Sequence, residues 1–275
     1  MESDIRRSSR KLRGKTLVFK ISGRTLGNSN ELEKILEFLR DLTSLGVDVV
    51  LVHGGGPQIS IKLKEARLDR GTVQGLRITP KDSLPLIRDA LTNENHHLVG
   101  HIRKLGGKAQ SVGPGQRILV VEPHELAEEL RFVATVKRVK VRELLRLLRQ
   151  GTIPVVVPMA IIDGNLYNIN ADDVAGAIAS ALGAYALVIL VEVKGILRCL
   201  GSERTLIKRL TVQDAEELLE GVVNEGMIPK VKACLEALRA GVPQALILEA
   251  SSATLFHRLL LNEEVGTTIV RGRSK

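Results

Sequence analysis

The 275-residue sequence predicts an α/β fold, a mostly parallel central sheet flanked by helices, and three observations carry that prediction. Short apolar runs rich in Val, Ile and Leu show no alternating polar face, which is how strands buried on both sides read. Amphipathic segments of helical period separate these runs from end to end, so strand follows helix follows strand. The run Val49-Val50-Leu51-Val52-His53 stops abruptly at Gly54-Gly55-Gly56-Pro57-Gln58, a strand that turns at once into a helix.

In chain order, Lys15–Lys20, Val47–Val52, Ile118–Val121, Ile153–Val157, Ala186–Val191 and Gln244–Glu249 read as strands, with Gly266–Val270 as a last edge strand. Helix starts are marked by Asn30 with Glu33, which resembles a capping box, by Thr79-Pro80 with Asp82, and by Pro229. Within Gly113–Arg142, Val133–Val139 alternates like a hairpin strand, so a β excursion is expected there. Residues 1 to 14 read as a flexible basic arm. The glycine turn after Val52 leaves bare N–H groups that a ligand can approach closely, and the helix that follows adds its positive dipole end. A tight turn needs fewer glycines than three, so a phosphate cradle is the stronger reading.

Composition narrows the function classes. Net charge is +9, yet aromatics are 2% and Trp is absent, which leaves no stacking platforms for nucleic acid. Cys199 and Cys234 are the two cysteines, too few and too far apart for a disulfide framework or a zinc site, and a reducing cytosol is the natural setting. No apolar run approaches the length of a membrane span. Three motifs fail on inspection. Gly14-Lys15-Thr16 lacks the upstream glycine of a P-loop, since position 9 is Ser. Gly113-Pro114-Gly115 begins like a dinucleotide fingerprint, but Ile118 stands where the third glycine belongs. His97 and His101 have metal-ligand spacing on a helix without the glutamate that a metalloprotease needs. His53 reads as a structural hydrogen-bonding residue.

Tyr167-Asn168-Ile169-Asn170-Ala171-Asp172-Asp173 precedes an Ala-rich helix over Ala171–Leu182. Asn170 suits its N-cap and the two aspartates its first turn, which leaves Asn168 on a loop to hold a polar substrate and Asp172 at the mouth of the sheet. Ligands of open α/β sheets bind at the carboxyl ends of the strands, where Lys20, Arg77 and Lys230 also fall.

These stretches, Lys20–Gly23, Val52–Gln58, Gly75–Thr79, Ile153–Val155, Tyr167–Asp172 and Gly226–Lys230, occur in one order between residues 15 and 270. In that order they resemble the amino-acid kinase family, closest to its N-acetylglutamate kinase branch. The resemblance implies a carbamate-kinase-like three-layer sandwich in two lobes, an amino-acid-binding and dimerisation lobe over 15–182 and a nucleotide-binding lobe over 183–275. It implies phosphoryl transfer from ATP to the side-chain carboxylate of N-acetyl-L-glutamate, a step of arginine biosynthesis, in a cytoplasmic homodimer or higher homo-oligomer. By the same resemblance Lys20 and Lys230 neutralise the transferring group and Asp172 holds both ammonium groups. Gly23, Gly55 and Gly56 present backbone N–H groups, Arg77 grips the substrate carboxylate with Asn168 and Asn170, and Glu192 and Met227 lie on the nucleotide side. Mg²⁺ arrives on the nucleotide phosphates, not in a protein cage.

The sequence departs from the family pattern at Ser22-Gly23, where two glycines are usual, at Val191-Glu192 in place of Thr-Asp or Ser-Asp, in the reduced run Ser111–Gly115, and at Ala134-Thr135. Two other readings remain, the first on charge, although the glycine loop and the Asn168–Asp172 loop are close to the free-substrate form, and the second on the departures at Ser22 and Val191-Glu192. One is a kinase whose glutamate or aminoadipate is borne on a small acidic carrier protein, which a +9 surface would favour. The other is a catalytically degenerate regulatory homologue, against which Lys20, Asp172 and Lys230 stand.

Overall fold

The computed structural model describes residues 11–27, 29–198, 205–219 and 226–272. Cys199, residues 1–10 of the basic arm and the tail from 273 lie outside them. Residues 11–14 belong to the folded body, contrary to the expectation of a flexible arm over 1–14. Leu12 is buried, and the Gly14 amide donates to the Gly46 carbonyl at 2.7 Å.

The strands are β1 (Thr16–Ile21), β2 (Asp48–His53), β3 (Thr72–Val73), β4 (Leu76–Arg77), β5 (Ala109–Val112), β6 (Leu119–Pro123), β7 (Val133–Val139), β8 (Ile153–Val156), β9 (Met159–Ile162), β10 (Asn165–Ile169), β11 (Ala186–Val191), β12 (Arg209–Thr211), β13 (Gln244–Glu249) and β14 (Thr267–Val270). The helices that matter here are α1 (Ser29–Ser44), α2 (Gly56–Glu65), α3 (Leu84–Lys104), α4 (Arg142–Arg149), α5 (Ala171–Leu182), α6 (Val212–Leu219) and α7 (Ile228–Arg239).

An eight-stranded sheet runs in the order β12-β14-β13-β11-β1-β2-β8-β5. Every pairing in it is parallel except β13 with β14. Because side chains alternate along a strand, β1 feeds two cores. Leu17, Phe19 and Ile21 face α1 and the second half of α3, packing with Leu36, Leu39 and Leu98. Val18 faces the opposite side with Val50, Val52, Leu187 and Ile189, against Val174 and Ile178 of α5 and Val231 and Leu235 of α7. Lys20 shares the parity of Val18 and therefore lies on the α5–α7 side. Those two helices lie close because residue 176 is Gly, where an added Cβ would sit 3.0 Å from the Ala233 carbonyl oxygen.

The expected β excursion is present as a second sheet, in the order β6-β7-β10-β9, and β3 with β4 forms a hairpin. Three expectations are corrected. Gly266–Val270 is not an edge: β14 lies between β13 and β12, whose three residues are too short to show a pattern in sequence. Tyr167 and Asn168 are not on a loop but in β10, where Asn168 pairs with both Val133 and Met159. Helix α1 begins at Ser29, so Asn30 falls inside its first turn and cannot be its cap.

Candidate active site

Three helix starts surround the carboxyl end of β1. Helix α2 begins at the glycine turn with Gly55 as N-cap and Pro57 in its first turn. Helix α5 is capped by Asn170, whose side chain accepts from the Asp172 amide at 2.7 Å. Helix α7 opens at Met227, again with a proline in the first turn. Each start leaves backbone N–H groups without helical partners and a positive dipole end, which together favour an anion.

At the centre, Lys20 Nζ lies 2.8 Å from Asp172 Oδ1. Lys230 Nζ lies 3.4 Å from Asp172 Oδ2 and donates to the Gly226 carbonyl at 2.9 Å. Lys20 is 5% exposed and Asp172 4%, so the cluster is a buried arrangement of two cations and one anion. Burial pushes the Lys20 ammonium below its usual range, with Asp172 opposing and Lys230 reinforcing. Burial by itself would raise Asp172, but the charges and hydrogen bonds of both lysines outweigh it and hold the carboxyl low. One positive charge is left over, facing the end of the sheet.

The two glycine turns interlock. A Cβ on Gly23 would stand 2.7 Å from Pro57 Cδ and 2.8 Å from the Gly56 nitrogen, so only glycine fits. A Cβ on Gly55 would meet Leu91 Cδ2 at 2.8 Å, whereas the space beside Gly56 is open. Gln58 Nε2 donates to the Gly23 carbonyl at 3.1 Å and ties the turns together. Beneath them, His53 is fully buried: Nδ1 donates to the Gly54 carbonyl at 3.0 Å and Nε2 accepts from Asn95 Nδ2 at 3.1 Å. Burial lowers His53 to about 4, so the ring is neutral and structural, as expected from sequence.

Arg77 reaches the same turn. Its guanidinium donates to the Gly56 carbonyl at 3.2 Å and to Ser60 Oγ at 2.5 Å, and pairs with Asp69 Oδ1 at 3.3 Å. Thr79, fully buried, connects Arg77 to Asn168: its hydroxyl donates to the Arg77 carbonyl at 3.0 Å and accepts from Asn168 Nδ2 at 3.3 Å. Thr79 therefore does not cap the helix it was expected to open. Ser60 and Asp69 are supporting residues that sequence reasoning passed over, while Thr79 was read as a helix start and Gln58 only as part of the glycine turn. Of the first two, only Ser60 left a signal, lying one helical turn after Gly56 on α2.

Asp173, next to the cluster, is raised to about 7 by burial, with Asp172 and Glu236 adding and Lys232 and Lys20 opposing. A carboxyl raised above its unfolded value binds protons more tightly when folded, so stability is lost as pH rises from about 4 to about 7. Asp173→Asn should remove that loss. In thermal melts the variant should gain on wild type as pH increases, reaching about 3 °C or more at pH 8. A difference constant from pH 4.5 to 8 would refute the assignment.

The sequence pattern of the amino acid kinase family matches residues 15–249. The acetylglutamate kinase of Halothermothrix orenii is 37% identical, over 94% of this chain and 92% of that protein. The acetylglutamate kinase of Geobacillus kaustophilus is 39% identical, over 92% of this chain and 98% of that protein. Among solved structures, N-acetylglutamate synthase from Neisseria gonorrhoeae, complexed with coenzyme A and N-acetyl-glutamate, superimposes with a TM-score of 0.88 at 23% identity. That match covers 99% of this chain, which spans 63% of the synthase chain. Giardia carbamate kinase superimposes with a TM-score of 0.69 at 18% identity, over 94% of this chain and 99% of that one. At these identities the structural matches speak for the fold alone.

Proposed function

The chain belongs to the amino acid kinase family, and from that premise we propose that it transfers the γ-phosphoryl group of ATP to the side-chain carboxylate of N-acetyl-L-glutamate. The observation that carries this reading is the buried Lys20–Asp172–Lys230 cluster, with its surplus positive charge at the carboxyl end of β1 beside two interlocked glycine turns. A carboxylate is ionised near pH 7 and needs no general base, so the work of the site is to bring two anions together in line. His53, with both ring nitrogens engaged, is suited to holding the Gly54 turn and not to moving a proton.

In this reading Lys20 and Lys230 stabilise charge on the group in flight, and Asp172 keeps the two ammonium groups from repelling each other. The N–H groups of Gly23, Gly55 and Gly56 receive phosphoryl oxygens, and the open space at Gly56 leaves room for them. Arg77, Asn168 and Asn170 hold the α-carboxylate end of the acceptor. The Asn170 carbonyl oxygen is committed to capping α5, so its part falls to the amide N–H groups. Glu192 and Met227 lie toward the nucleotide. In this reading Mg²⁺ arrives on the nucleotide's own phosphates, since this small cation usually binds through substrate phosphates with one or two carboxylates at most. The lobe of residues 15–182 carries the acceptor site and the homodimer contact, and residues 183–275 the nucleotide. A cytoplasmic location fits the reading, and no helix of the described residues is long and apolar enough to cross a membrane.

The test is trapping of the acyl phosphate as a hydroxamate, with ATP, Mg²⁺ and free N-acetyl-L-glutamate. Product is expected with the free acid. Activity confined to an acid borne on an acidic carrier protein would overturn the reading. In the same assay Arg77→Lys should raise KM for the acid about tenfold with a smaller change in kcat, because a point charge does not replace a planar fork. A rise in KM for ATP instead would move Arg77 to the other half of the site.

A further inference from the structure

Glu192 follows the last residue of β11 and Ser22 the last residue of β1, and these strands are parallel neighbours in register, Ile21 opposite Leu190. That register places Ser22 level with Val191, one residue before Glu192, and Ser22 Oγ donates to Glu192 Oε1. The serine oxygen also accepts from the Thr25 amide at 3.2 Å and bonds the Thr25 hydroxyl at 3.1 Å. A serine has one proton to donate. With that proton given to Glu192, the Thr25 hydroxyl donates to Ser22, and the serine is not free to donate to a phosphate. The turn so fixed carries Gly23, whose backbone lies against Gly56 and accepts from Gln58.

We propose that Ser22 and Glu192 act as a unit in nucleotide binding: the serine hydroxyl occupies a carboxylate that would otherwise stand unpaired at the mouth of the polyphosphate cradle. The inference rests on the nucleotide reading of this edge. Glu192 is exposed, and of the carboxylates near Lys20 it is the second after Asp172 to act on the ammonium charge. Left without the serine, it has two alternatives, and both harm an anionic ligand. It can face the incoming phosphates and repel them, or it can turn to Lys20 and cancel the surplus charge that attracts them. From sequence the two residues look like independent departures from the family pattern. In the fold they touch, and each is the other's partner.

Both residues are positioning residues, and Mg·ADP binding by titration calorimetry reads them without relying on turnover. Ser22→Ala should weaken binding about tenfold in the wild-type background, but by less than about threefold when it is added to Glu192→Gln. KM for the acyl acceptor should stay within about twofold in all three. Rescue by removing the charge is the result that a purely structural role for Ser22 does not give. A loss on Ser22→Ala as large in the Glu192→Gln background as in wild type overturns the proposal. Should Ser22→Ala fail to fold, Glu192→Asp draws the carboxylate back from the serine and should show the same loss of binding. If wild type binds Mg·ADP and the cycle behaves as stated while no hydroxamate forms from N-acetyl-L-glutamate, the substrate assignment falls and this inference stands. If wild type binds no Mg·ADP, both fall.

Discussion

Replacing Lys20 by Met should lower kcat by about a hundredfold or more with little change in the thermal transition. The methionine keeps the apolar stem packed on the α5–α7 side of β1, and Asp172 keeps Lys230 as its partner. What is removed is a buried ammonium that gains most when charge develops in flight, and preorganised groups of that kind contribute at least two orders of magnitude. Lys230→Met should show the same split of kcat from stability. Its Nζ is more exposed and is also held by the Gly226 carbonyl, so its loss leaves less buried charge unbalanced. Turnover within about fivefold of wild type in either variant, with the fold unchanged by circular dichroism, would remove the lysines from the proposed chemistry.

How much of this was legible in the sequence depends on what each residue interacts with. Ala186–Val191 and Gln244–Glu249 match β11 and β13 to the residue, because strands buried on both faces are continuous apolar runs with polar ends. Val133–Val139 matches β7 in its bounds, although buried Val133 and Val139 share one face with exposed Thr135 and Lys137 and the burial does not follow a clean alternation. Arg209–Thr211 left no such trace, since three residues with one buried side chain, Leu210, are too few to show a period. Asn168 reads as loop because asparagine is depleted in strands, yet its backbone pairs on both sides in the small sheet. The convergence of Lys20, the glycine turn, Asp172 and Lys230 was legible, because each belongs to a short motif at a strand end or a helix start. The supports were not. Thr79 with Asn168, and Ser22 with Glu192, are contacts between residues far apart in sequence, and no local pattern records which strand ends the sheet will place side by side.

The burial of Lys20 also makes Asp172 hard to replace. Asp172→Asn keeps the size of the side chain and its place in the first turn of α5, but it leaves Lys20, 5% exposed, without its counter-charge. Removing one partner of a buried ion pair costs about 3 to 5 kcal/mol, because the remaining charge stays out of water with nothing to balance it. Activity should fall with stability, since Lys20 and Lys230 then repel each other across the space where the phosphoryl group passes. The pH dependence separates this cause from a simple packing defect. Lys20 is already held below its unfolded value, and loss of Asp172 lowers it further, so the unfolded variant binds a proton that the folded variant sheds. Stability of Asp172→Asn relative to wild type should therefore recover as pH rises from 7 toward 10, where the lysine in the folded chain becomes neutral. Thermal or urea unfolding of both proteins across that range measures the difference directly. A deficit that stays constant from pH 7 to 10 would mean that Lys20 is not the group left uncompensated, and that the cluster is held together by something other than its charges.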